Sequence, residues 1–297
     1  MKIVVAPGQG SQSEGFLKTW IDSVPGFEAK LQEYSRVVEL DLVMLGTVGT
    51  EEQIKDTAVA QPLIVAAALA AYRTRPAGIE FDGVSGHSVG EFAAAAIAGV
   101  LEDGQALRLV SVRAKAMAAA AARVSTSMAA IIGGDEDEIN TKLDELDLVP
   151  ANFNGANQLV VAGEKSQIGL LVSSPPEKAR VIELKVAGAF HTSFMETARQ
   201  ELEIHAQNIV PANPHMTIWS NQKGQAVTQG QEFLDLLVSQ VTNPVRWDLV
   251  MNNFEGKQAT IVELPPAGAL SGLLKRAVQD CRTVPLKSPE DFEKVRG

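Results

Sequence analysis

One cysteine, Cys281, stands in a chain of 297 residues. That excludes an internal disulfide framework and a cysteine-built zinc site, and a reducing compartment suits such a chain. Basic residues are also scarce: 26 Lys and Arg face 36 Asp and Glu, a formal net charge of −10. No Lys/Arg run offsets this deficit, so a partner with a phosphate backbone is not expected. Long apolar runs are missing too. The Ala-rich stretches are broken by Arg, Lys and Glu, which leaves no candidate membrane span. The N-terminal "MKIVVAPGQGSQ" has an apolar run too short for a secretory signal, and Pro and Gly follow it. There is no internal repeat and no low-complexity segment. These absences predict a cytoplasmic globular protein with neither nucleic acid nor membrane as partner.

What is present is a 45% hydrophobic, 21% charged composition, ordinary for one large domain or a large and a small one. "KIVVAP" reads as a buried strand followed by the glycine loop "GQGSQ". "QPLIVAAALAAYR" reads as an apolar helix with Gln61-Pro62 in its first turn. "FDGVSGH" is a strand, and "EFAAAAIAGVL" and "EDGQALRLVSVRAKAMAAAAA" are helices. Strands alternating with helices predict an α/β domain with a largely parallel sheet. Between residues 126 and 186 the order becomes β-α-β-β-α-β, the ferredoxin-like one. The expected organisation is a large α/β domain, 1–125 and 187–297, with a small ferredoxin-like domain, 126–186, inserted in it.

One stretch carries chemistry. Gly86-His87-Ser88-Val89-Gly90 fits the G-x-S-x-G frame, in which a strand reverses into a helix and lifts a serine hydroxyl clear of the backbone. It equally fits a plain helix N-cap, with Ser88 and Glu91 forming a capping box. A nucleophilic serine needs a base, and the chain has four histidines. His87 adjoins Ser88 and should point away. His205 is expected on a solvated helix face and His215 in a loop. By elimination the partner is His191, in "VAGAFHTSFM", where the chain leaves the small domain; the alternative is a histidine satisfied within the interface. No Asp or Glu between Ser88 and His191 stands out as a triad acid, so a backbone carbonyl could orient the imidazole instead. "PGQGSQ" lacks the third glycine of a dinucleotide fingerprint, since position 13 is serine. Its backbone N–H groups, with that of Val89, could form an oxyanion hole. Arg113, on a helix otherwise apolar on one side, could snorkel to the surface or clamp a carboxylate.

The motifs GQGSQ, GHSVGE, VRAKAM, NFNGANQLVVAG, AFHTSFM and NPVRW occur in this order over about residues 3 to 286. Together they resemble the malonyl-CoA:acyl carrier protein transacylases and the acyltransferase domains of polyketide synthases. The resemblance implies an α/β-hydrolase-like large domain with a ferredoxin-like small one. It implies Ser88 as the nucleophile that carries a malonyl ester and His191 as its base. Gln240 matches the residue whose main-chain carbonyl orients that histidine. Gln9 and Val89 match the oxyanion donors, and Arg113 the arginine that binds the malonyl carboxylate. Asn154 and Gln158 match positions lining or supporting the cleft. Phe190 matches the bulky residue that excludes an α-methyl branch. Malonyl-CoA and a holo acyl carrier protein are the implied partners, with no metal or redox cofactor, and a monomer is favoured. A serine hydrolase or thioesterase, a polyketide-pathway acyltransferase and a non-catalytic carrier-binding subunit are the alternatives. Two departures stand out: "PPAG" (Pro265 to Gly268) replaces the usual Gly-Pro-Gly, and Ala114 replaces a glycine after the arginine. Carrier proteins of such pathways are acidic, so a local basic patch is expected, with Lys185, Lys275 and Arg276 as candidates.

Overall fold

A computed structural model describes residues 1–296. In chain order the strands are β1 (Lys2–Ala6), β2 (Gly83–Gly86), β3 (Thr126–Gly133), β4 (Val149–Gly155), β5 (Gln158–Glu164), β6 (Ala179–Glu183), β7 (Thr217–Trp219), β8 (Ala226–Val227), β9 (Val245–Arg246), β10 (Thr260–Glu263) and β11 (Arg282–Pro285). They form two sheets.

The larger sheet has the order β11-β10-β1-β2-β7-β8, parallel except for the β7–β8 pair. Its central strands "KIVVA" and "GVSG" are almost wholly buried, as parallel strands covered on both faces must be. The register pairs Ile3 with Gly83 and Ala6 with Gly86. The loops that follow β1 and β2 therefore emerge side by side at the carboxyl edge, where ligands of open α/β sheets bind. Helices Thr57–Arg73, Gly90–Ile97 and Asp103–Ala121 pack together beside this sheet. Their alanines let backbones approach closely, and every residue from Ala60 to Tyr72 is buried. The helix expected at Gln61-Pro62 starts earlier, at Thr57, because Asp56 caps it by accepting from Ala58 N at 2.7 Å. Pro62 consequently lies in the second turn, where the lost N–H is tolerated within a fully packed core. Four short helices between Lys18 and Lys55 had no sequence expectation.

The smaller sheet has the order β6-β3-β5-β4-β9. With helices Glu136–Glu145 and Lys165–Ser173, β3 to β6 run β-α-β-β-α-β and pair antiparallel, the ferredoxin-like arrangement. Its edge strand β9 pairs parallel to β4 and comes from the "NPVRW" segment, well outside residues 126–186. The mixed α/β class with two sheets is thus as the sequence predicts. Among the described residues, no helix is long and apolar enough to cross a membrane.

Candidate active site

Ser88 sits between β2 and the Gly90–Ile97 helix with a φ of 51°, in the left-handed region that a non-glycine residue enters only when its surroundings demand it. The flanking glycines supply the demand. A Cβ on Gly86 would overlap the carbonyl of Gly90, and one on Gly90 would overlap the Ala6 carbonyl of β1. Asn221, just after β7, completes the clasp. Its Oδ1 accepts from Ser88 N at 2.7 Å, and its Nδ2 donates to Gly86 O at 2.6 Å. The capping-box alternative fails here, because the Ser88 hydroxyl and the Glu91 carboxylate both bond elsewhere.

The Ser88 hydroxyl lies 2.7 Å from His191 Nε2, and His191 Nδ1 lies 2.9 Å from the main-chain O of Gln240. A carbonyl can only accept, so the proton of the neutral imidazole is on Nδ1. Nε2 is then a free lone pair, and Ser88 donates to it. His191 itself has a φ of 62°. Its segment is anchored where the two sheets meet: Ala189 N donates to Thr126 Oγ1 at 2.9 Å, and Thr192 Oγ1 to Ala189 O at 2.7 Å. His87 points away, as expected, towards Asn154 Oδ1 at 3.1 Å and edge-on to Trp247. His205 is exposed beside Glu201.

Arg113 does not snorkel; it is 1% exposed. Its Nη1 donates to Gln61 Oε1 at 2.6 Å, and its Nη2 to Gln240 Oε1 at 2.9 Å and towards Ser88 Oγ at 3.4 Å. Among the described residues its Nε has no hydrogen-bond partner. A desolvated guanidinium held by neutral amide oxygens beside the Ser88 hydroxyl has the chemistry to receive an anion. Burial pulls its pKa down to about 10, against the charge of Glu91. It stays protonated at neutral pH.

Ser88, His191, Arg113, Gln9, Val89 and Phe190 line one cavity of about 90 Å³. Gln9 arrives there because His87 N continues the β1–β2 ladder to Ala6 O at 3.0 Å, which holds the loop after β1 against the elbow. Asn154 is buried and supports His87 from behind. Two residues earlier on the same strand face, Asn152 lines the cavity. Gln158 is a correction. It lies at the far end of β5, in a separate groove with Phe153 and Asp248 and 3.5 Å from Arg276, away from Ser88. The turn between β4 and β5 carries it past the cleft. The "PPAG" segment contains a cis Pro265–Pro266 bond and leads into the Ala269–Ala277 helix, whose Leu270 and Ser271 N–H groups donate to the buried Glu263.

Gln61, Glu91, Asn152 and Asn221 were not singled out from sequence as site residues. Each leaves a trace there: Gln61 and Glu91 are lone polar residues beside apolar runs, and Asn152 and Asn221 sit in or next to strands.

Two buried ionisable groups pull the pH dependence of stability in opposite directions. Burial, then the charge of Arg113, lowers His191 from 6.5 to about 3. Burial raises Glu91 from 4.5 to about 7, against hydrogen bonds from Asn221, Gln240 and Ser220. In the window between 4.5 and 6.5 the unfolded chain holds a proton on His191 that the folded chain lacks. For Glu91 the reverse holds. The two slopes, each about 1.4 kcal/mol per pH unit, therefore oppose. His191→Gln should leave only the Glu91 slope, so that its stability rises relative to wild type as pH falls below 6.5 towards about 3. Glu91→Gln should leave the His191 slope, with stability falling in acid below about 6.5. Urea unfolding at a series of pH values tests this; parallel profiles for the two variants would refute it.

The chain is similar to known proteins over almost its whole length. The acyl transferase domain family matches residues 3–293. The malonyl CoA-acyl carrier protein transacylase of Mycobacterium tuberculosis H37Rv is 46% identical over 300 residues, covering 99% of each chain. That of Escherichia coli K12 is 32% identical over 295 residues, covering 96% of this chain and 95% of the relative. The crystal structure of MCAT from Mycobacterium tuberculosis superimposes with a TM-score of 0.93 over 100% of both chains. A malonyl-transacylase in complex with its type II polyketide acyl carrier protein superimposes with a TM-score of 0.92 at 29% identity, covering 99% of each chain. With a family model matched over almost the whole chain and full-length relatives of the same fold, the chain belongs to the acyl transferase domain family.

Proposed function

We propose that this enzyme moves a malonyl group from malonyl-CoA to the phosphopantetheine thiol of an acyl carrier protein, through an ester on Ser88. The observation that carries the reading is the buried guanidinium of Arg113, 3.4 Å from the nucleophilic oxygen and bound to neutral amides alone. An acyl group with a free carboxylate answers that charge; an acetyl group does not.

In the proposed reaction, Ser88 Oγ attacks the thioester carbonyl while His191 Nε2 takes its proton. The Gln240 carbonyl holds the imidazolium that forms. The N–H groups of Gln9 and Val89 receive the oxyanion. The intermediate collapses, the C–S bond breaks, and the leaving sulfur takes the proton from His191. The carrier thiol then gives its proton to His191 and attacks the ester carbonyl; the C–O bond breaks, and Ser88 Oγ leaves with the proton from His191. The thioester supplies the driving force, so the scheme requires no metal or redox cofactor. Phe190 lines the same cavity as Ser88 and His191, and a ring there supports malonyl over its bulkier α-methyl homologue. Residues 126–186 act as the small domain roofing the cleft. A cytoplasmic location fits both substrates and the single cysteine.

Intact-mass analysis after mixing with malonyl-CoA tests the reading. The wild type should gain one malonyl mass and lose it on addition of holo carrier protein, which gains it in turn. Ser88→Ala should gain none. Rapid release of free malonate without transfer would instead make the protein a hydrolase.

Arg113→Ala leaves the malonyl carboxylate buried and unpaired. Malonyl transfer should fall by about 3–5 kcal/mol, two to four orders of magnitude, while acetyl transfer holds or rises. Equal losses of kcat/KM for malonyl- and acetyl-CoA would make the arginine structural.

Lys185 is exposed between Leu184 and Val186, which line the catalytic cavity. Arg276 reaches Gln158 at the opposite groove. The proposed carrier contact is therefore Lys185. Lys185→Glu should raise the KM for carrier protein and leave that for malonyl-CoA unchanged; equal effects on both would remove the contact from this position.

A further inference from the structure

Glu91 is 1% exposed, and no step of the acyl transfer above uses it. One carboxylate oxygen accepts from Asn221 N at 2.7 Å, and the other accepts from Gln240 Nε2. Gln240 Nε2 also donates to Ser88 O at 3.0 Å, and Gln240 Oε1 accepts from Arg113 Nη2 at 2.9 Å. The same residue offers its main-chain carbonyl to His191 Nδ1. One glutamine thus touches the nucleophile's backbone, the base and the clamp arginine, and Glu91 holds its amide.

The direction of that amide is chemically fixed. A guanidinium can only donate, and an ionised carboxylate can only accept. Turning the Gln240 amide over would set its NH₂ against Arg113 and its oxygen against Glu91, two contacts of like polarity. With Glu91 ionised there is one orientation. With Glu91 protonated, Arg113 and the Ser88 carbonyl still set that orientation, but the bond from Gln240 Nε2 loses its charge assistance and the hold of Glu91 on the turn loosens. A carboxylate at this spot is tolerated because it lies in the first turn of the Gly90–Ile97 helix, near its positive end. Among the described residues, the charged side chain that faces it is Arg113 from the Asp103–Ala121 helix. From the loop after β7 and from the turn at Gln240 it meets the neutral groups of Ser220, Asn221 and Gln240.

We propose that Glu91 is a positioning residue for serine acylation: acting through the Gln240 side chain, its carboxylate fixes the turn that orients His191. The inference rests on the acyl-transfer reading and adds to it a residue that touches no reacting atom. It carries a signature that a purely structural residue would lack. Burial brings the Glu91 carboxyl up to about 7, while His191 is held at about 3 and does not titrate near neutrality. The rate constant for acylation should therefore rise with pH through about 7, as Glu91 loses its proton, although the base is already neutral.

The test is rapid-quench intact-mass measurement of acylation by malonyl-CoA and by acetyl-CoA, from about pH 5.5 to about 8.5. Wild type, Glu91→Gln, Gln240→Met and the double variant are compared. Glu91→Gln should acylate about ten- to a hundredfold more slowly with both donors, since a base displaced by a fraction of an ångström loses that much. Its half-saturating malonyl-CoA concentration should not rise, and its pH limb near neutrality should vanish. Gln240→Met keeps the main-chain carbonyl but loses the link. It should show a similar loss, and the double variant should be no slower than the slower single one. Misfolding lowers the amplitude of the acylation phase and not its rate constant, so an amplitude loss at unchanged rate constant would overturn the proposal. So would a pH limb that persists in Glu91→Gln, or fully additive losses. A wild type that forms no acyl-enzyme at all would overturn the acyl-transfer reading instead.

Discussion

A backbone carbonyl has no proton to give, and at Gln240 that restriction decides how His191 works. Facing a carboxylate, an imidazole would keep the same tautomer and also gain a counter-charge as it became imidazolium. Facing a carbonyl 2.9 Å away, it gains orientation and a partial charge only. The base is correspondingly weak in the resting site, with its pKa depressed by burial and by the nearby guanidinium. A weak base suits this chemistry. In the proposed reaction the group leaving on acylation is a thiolate, far easier to expel than an amine. A strongly basic histidine would hold the proton that the departing sulfur needs.

That bond survives because several elements converge on it without any of them being a long loop. Ser88 and His191 both occupy positive φ, each at a cost of about 1–3 kcal/mol. The elbow is held by the β1–β2 register, by two glycines that leave no room for a Cβ, and by Asn221 bridging across to β7. The His191 segment is pinned to Thr126, the first residue of the small sheet. The small sheet in turn takes its edge strand, Val245–Arg246, from the segment just after Gln240. The histidine and the carbonyl that orients it are thus each tied to the same sheet, from opposite sides.

The sequence made local features legible and left long-range contacts hidden. Apart from the helices between Lys18 and Lys55, strand and helix identities from β1 through β6 followed from periodicity, because each is set by residues close in the chain. The elbow was legible because its glycines lie two residues either side of the serine. His191 came by elimination among four histidines, a matter of scarcity more than of pattern. Gln240 had no such local signal and rested on family likeness, as did the choice of Gln9 within its glycine loop. Gln158 matched the same likeness, yet the β4–β5 turn carries it to another groove. Glu91 misled in a different way. Its spacing from Ser88 fits a capping box, a local interaction, but its carboxylate bonds residues 130 and 149 positions away. Sequence spacing cannot distinguish a cap from a buried carboxylate when both sit in the first turn of a helix.

The spacing between Arg113 and Glu91 bears on selectivity. Two opposite charges in a dry interior attract strongly, and a direct pair would be the cheaper way to bury both. Here the Gln240 amide stands between them, its oxygen to the cation and its NH₂ to the anion. The amide passes part of the polarisation across without letting the guanidinium spend its charge on Glu91. Arg113 keeps an unpartnered Nε and a second contact with a neutral glutamine, Gln61. The resting site is therefore less stable than a closed ion pair would make it, and under the proposed function a carboxylate-bearing acyl group would recover that deficit. An uncharged acyl group recovers none of it. In the proposed function, selection for malonyl over acetyl would then rest on a cation kept incompletely satisfied as much as on the shape of the cavity.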